Sequence, residues 1–157
     1  MKILILPLAL VAFIFSSCRK EEITEVKQVD QAFSAVYNIS PGDWVSNDGG
    51  YTYSVDLDIP ELDNVIYQQG AVLTYLSFSG TSYYEALPQV FDGITYGAIH
   101  GDGFVSIDIS ALSGNLIDPP GQSISAKIIL IDATRLALRP NINFRNLMEV
   151  ERAFGIH

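Results

Sequence analysis

At 157 residues the chain is long enough for one domain with a sizeable core and too short for two. Charged residues make up only 17% of it and the net charge is −9, which argues against nucleic acid or anionic lipid as the main partner, because phosphate binding needs a basic patch. A single cysteine excludes an internal disulfide, so stability has to come from packing.

The first element is a leader. Met1 and Lys2 make a short basic start, and residues 3–15 are uncharged and apolar, Pro7 included. Those thirteen residues fall short of the ~20 that a spanning helix needs. The order basic, apolar, small is that of a secretory signal peptide over residues 1–17. Ser16 and Ser17 are small enough to enter a peptidase groove, and Cys18 follows at once.

Ser16, Ser17 and Cys18 resemble the lipobox of bacterial lipoproteins, with Phe15 where that motif usually has Leu. The resemblance implies a diacylglyceryl group on the Cys18 thiol, cleavage just ahead of it, and fatty acyl chains such as palmitate on the new terminus. Each buried CH₂ contributes about 0.8 kcal/mol, and one chain holds only marginally, so anchoring through several chains on one residue is durable. Lys20, Glu21 and Glu22 resemble the export signal of Bacteroidota surface lipoproteins. That resemblance implies an outer-membrane protein, anchored by lipid and facing the cell exterior. Loss of the leader removes Lys2 and takes the charge to −10.

Residues 18–31 continue as a polar tether whose apolar side chains after Cys18 are Ile23, Val26 and Val29. Three apolar residues cannot hold a helix in water, so a loose spacer is expected.

Residues 32–157 read as a single domain. A first strand is expected over 32–39, turn chemistry at Ser40-Pro41-Gly42-Asp43, and a short second strand at 44–46. Asn47-Asp48-Gly49-Gly50 is loop chemistry. Residues 51–59 alternate strictly, with Tyr51, Tyr53, Val55, Leu57 and Ile59 on one side, which predicts a half-buried strand ended by Pro60. Residues 61–69 suit one or two helical turns, stopped by Gly70 at the left-handed position past the helix end.

Residues 71–79 are apolar on both faces, so a central strand is expected. Residues 83–91 read as one edge strand that tolerates Pro88. Strands follow at 94–100 and 104–110, then a long loop at 111–122. The last strand is read over 123–136, with Ile124, Ala126, Ile128 and Leu130 on one face and Ile129 and Ile131 on the other. Asn143 is the expected cap of a helix over 144–154 that ends at Gly155 and packs through Phe144, Leu147, Met148, Glu151 and Phe154.

Short strands with turn signals between them predict an all-β antiparallel sandwich, Ig-like or jelly-roll-like, closed by a short C-terminal helix. The early Trp44, the Tyr-rich alternating strand, Gly70 to Tyr75, Ala86 to Pro88 and Ala153 to Gly155 are similar to a group of small uncharacterised Bacteroidota lipoproteins. That likeness lends no activity.

No catalytic residues, cofactor or metal site are expected. His100 and Asp102 pair a base with a carboxylate, but no Gly-x-Ser-x-Gly elbow supplies a nucleophile, and a hairpin turn is the plainer reading. Asp56 and Asp58 share a strand face that reads as solvated. Asp48, Asp92, Asp102 and Asp118 sit beside Gly, Asn or Pro, where Asp forms turns more often than it binds calcium. The tyrosines Tyr51, Tyr53, Tyr75, Tyr83, Tyr84 and Tyr96 divide between core and surface. Tyr83 and Tyr84 are consecutive and cannot both face inward, so with Trp44 they are the candidate binding surface for a protein or glycan. The expected function is a non-enzymatic, lipid-anchored envelope protein that binds or builds; the alternative is a hydrolase accessory to glycan or peptide breakdown.

Overall fold

The strands form where apolar and polar side chains alternate, and the computed structural model, which describes residues 32–78 and 81–156, joins them into two sheets. The leader, Cys18, the Lys20-Glu21-Glu22 signal and the tether lie outside the described residues. In chain order the elements are β1 (Phe33–Ile39), β2 (Thr52–Asp58), α1 (Asn64–Gln69), β3 (Ala71–Phe78), β4 (Glu85–Ala86) and β5 (Gln89–Phe91). They continue as β6 (Ile94–Gly101), β7 (Phe104–Ala111), β8 (Ile124–Ile131), α2 (Ala133–Ala137) and α3 (Leu147–Phe154). One four-stranded sheet runs β1-β8-β3-β4 and the other β2-β7-β6-β5. All pairings are antiparallel. The fold is therefore the expected β-sandwich, in a four-plus-four division that departs from the four-plus-three of constant-type Ig domains.

The core between the sheets is mainly aliphatic, with Trp44 and Tyr96 among its buried residues. Val55, Leu57, Val105, Ile107 and Ile109 come from one sheet and Ile39, Leu76, Ile124, Ile128 and Leu130 from the other. Burying each fully contributes about 1.5–3 kcal/mol. β3 and β8 are central, as their two apolar faces require. Their second faces meet a helical layer, where Tyr75, Ile129 and Ile131 pack against Val150, Phe154 and Ile156. Three layers result: sheet, sheet and helices.

Six expectations are corrected by the structure. Residues 44–46 form no strand; only a single bridge, Val45 to Ser54, joins them to β2. The edge strand read over 83–91 is two pieces in different sheets, β4 pairing with β3 and β5 with β6. Pro88 lies between them, where a residue with no N–H cannot continue a ladder. The strand read to residue 136 ends at Ile131, because the Asp132 carboxylate accepts the Arg135 N–H at 3.1 Å and caps α2.

The last helix starts at Leu147, capped by Asn146, not by Asn143. It buries Val150 where Met148 was expected, and Met148 is 71% exposed. Gly155 does stop it in the left-handed conformation, at φ 67°. Gly70 stops α1 in another way. Its φ is −91°, open to any residue, but a Cβ there would stand 2.4 Å from the Ile131 carbonyl oxygen. Glycine is needed for close backbone approach, not for handedness.

Candidate functional site

The candidate surface residues Trp44, Tyr83 and Tyr84 do not lie together on one exposed face. Trp44 belongs to the core between the sheets, at 6% exposure, and leaves the proposed binding surface. Tyr83 is 75% exposed, while Tyr84 is half-buried against the helical layer. Neither residue lies in a strand, since β4 begins at Glu85, so packing against the helical layer and not strand alternation divides the pair.

Tyr83 and Tyr84 line a solvent-open groove of about 620 Å³ between the approach to β4 and the start of α3. Its far wall carries Arg145, Leu147 and Met148. The wall is fixed from below. The Tyr75 hydroxyl, in the middle of β3, donates to the Phe144 carbonyl oxygen at 2.6 Å. Burial first, and the Glu151 charge second, push the Tyr75 phenol up to about 12, so it stays a donor throughout the neutral range. The Arg145 N–H donates to the Asn143 side-chain oxygen at 3.1 Å, and the Glu149 N–H to that of Asn146 at 3.3 Å. Glu151 forms an ion pair with Lys127 of β8, tying the helix down to the sheet. No described carboxylate pairs with the Arg145 side chain.

A second groove, about 560 Å³, opens at one end of the sandwich beside Phe78, Phe91 and Tyr96. Phe78 stacks on Phe91 at 5.5 Å between centroids and meets Tyr96 edge-on at 5.2 Å. These rings satisfy one another, with Tyr96 in the core.

The remaining candidates are dispersed. The His100 ring packs edge-on to Tyr67 of α1, 6.0 Å between centroids, and Asp102 stands in the turn between β6 and β7. Neither lines either groove. Asp56 and Asp58 are on the exposed outer face of β2. Asp48 is a turn-former: it accepts the Thr52 and Tyr51 N–H groups at 3.0 Å each and the Ser46 hydroxyl at 2.9 Å. The Thr52 bond foremost holds its carboxyl below the usual range. Asp92 has φ 49° in the turn before β6, and Asp118 is exposed in the long loop. Tyr51 is exposed and Tyr53 packs against the core. Among the described residues no three His, Cys, Asp or Glu side chains gather as metal ligands.

Arg145 and Met148 were missed as site residues, because their nearness to Tyr83 is a tertiary fact. Among the described residues no helix is long and apolar enough to cross a membrane. No family model, curated protein or solved structure matches this chain.

Proposed function

We propose that this chain is a lipid-anchored cell-envelope protein whose β-sandwich captures a segment of a partner protein in the groove between Tyr83 and Met148, without catalysis. The observation that carries the binding half is the groove's lining. Tyr, Met and Arg are the residues enriched at protein interfaces, and here Tyr83, Met148 and Arg145 share one open depression. Tyrosine supplies rigid contact area, methionine adapts to the shape it meets, and arginine adds a fork of donors. The anchoring half rests on Cys18 and on Lys20, Glu21 and Glu22, which favour surface display.

Two experiments test the two halves. Cys18→Ser is expected to abolish acylation and membrane fractionation; a variant that still floats with membranes rejects the anchor. A photo-cross-linking side chain in place of Met148 is expected to yield protein adducts in intact cells. Tyr83→Ala should reduce them about tenfold, the loss typical of one interface anchor. Adducts indifferent to Tyr83→Ala reject the groove. Glycan binding at Tyr83 with no protein adduct would reassign the ligand class.

A further inference from the structure

The four sheet edges are not protected alike. β4 has two residues and β5 has three, too short to template another chain. β2 carries Asp56 and Asp58, and Val45 takes part of its outer edge through two reciprocal backbone bonds to Ser54, each 2.9 Å. β1 has none of these devices. It runs seven residues without charge, proline or glycine. β8 pairs with one side of it. On the other side no β1 backbone group bonds to a described backbone partner. Among the described residues this row of N–H and C=O groups has no backbone partner, and a row this long is a template for a further strand.

The pattern of β1 suits one occupant in particular. Laid antiparallel on itself about Val36, the strand sets Phe33 against Ile39, Ser34 against Asn38, Ala35 against Tyr37, and Val36 against Val36. Apolar meets apolar, polar meets polar, and the small Ala35 meets the large Tyr37. Val36 is 57% exposed at the centre. Copies of a chain at −9 repel one another over most of their surface, and β1 is a strip where they meet without opposed charge.

We propose that β1 is a self-association edge: two copies of this chain pair their β1 strands antiparallel across a twofold axis at Val36, extending β1-β8-β3-β4 into one eight-stranded sheet. The Tyr83 grooves lie beside β4, at the two far ends of that sheet, so both stay open and the pair is bivalent. The pairing does not depend on what the grooves bind. One strand pair buries less than the ~1,200–2,000 Å² of a stable interface, so association is weak in solution and strengthens where copies are concentrated on one surface.

The test uses the full chain carrying Cys18→Ser, which removes its only thiol. Val36→Cys then sets two thiols across the axis at the ~4.5–5.5 Å of opposed strand residues, within disulfide reach. Mild oxidation is expected to give a covalent dimer. A mixture of Ser34→Cys and Asn38→Cys chains should give the mixed dimer in preference to either like pair. Val45→Cys, equally exposed at 55%, is the control that stays monomeric. Val36→Lys opposes two cations at an exposed site and is expected to weaken association about tenfold in sedimentation equilibrium. Cross-linking at Val36→Cys no faster than at Val45→Cys overturns the proposal. So does concentration-independent hydrogen-exchange protection of the outward β1 amides, which would assign that edge to the chain's own residues 18–31.

Discussion

Truncating Ile128 and Ile129 to alanine, one at a time, is expected to cost the fold about equally, roughly 2–5 kcal/mol each. The two residues are neighbours in β8 and point to opposite faces. Ile128 enters the core between the sheets and Ile129 the layer under α2 and α3; both are at 0% exposure. In a sandwich of two layers only, the second residue would meet water, and its truncation would be nearly neutral. Here either truncation opens a cavity among side chains held by the paired strands β1 and β3, which leaves little room for collapse. Urea denaturation gives the comparison directly: equal falls in midpoint at unchanged slope support the third layer. An Ile129→Ala cost under about 1 kcal/mol, the range of a surface change, would deny that the helices seal this face.

That layer was partly legible. Ile129 and Ile131, opposite Ile128 and Leu130, require cover on both sides, and the C-terminal helical pattern was the natural candidate for it. What the pattern left open was phase. Val150 and Met148 flank the same apolar stripe of α3, and only the surroundings decide which is buried. The sheet beneath takes Val150 and leaves Met148 at the groove. Burial of Trp44 is likewise tertiary: the sequence shows a large aromatic after a turn, and the sandwich closes over it.

Other boundaries carried a readable signal that a stronger one hid. Asp132 followed by Ala-Thr-Arg is a helix start, but the run Ile128 to Ile131 before it dominates as strand. Pro88 marks the passage between sheets, yet the apolar residues on either side read as one strand. The groove was legible by half. Consecutive tyrosines announce an exposed ring, but Arg145 and Met148 lie some sixty residues further along the chain, and no local pattern brings them to Tyr83.

Replacing Tyr75 with phenylalanine is expected to connect stability, pH and the groove in one variant. The ring stays and the hydroxyl goes, so the Phe144 carbonyl loses its partner in a dry layer at a cost of about 1–3 kcal/mol near neutral pH. The sign of the pH effect follows from the raised phenol. Its folded value is about 12 against 10.0 for an ordinary tyrosine. The stabilisation is therefore complete below pH 10 and is lost as pH rises toward 12, because the unfolded chain ionises this group first. The gap between wild type and Tyr75→Phe should be widest near neutral pH and narrow across that window. Burial also raises Tyr37 and Tyr96, so the variant keeps part of the alkaline sensitivity. A gap constant from neutral to alkaline pH would remove Tyr75 as its source. The same hydroxyl holds the residue just ahead of Arg145. If the groove is built on that anchor, Tyr75→Phe also lowers cross-linking from the Met148 position while the domain stays folded, which separates a loosened wall from a lost fold.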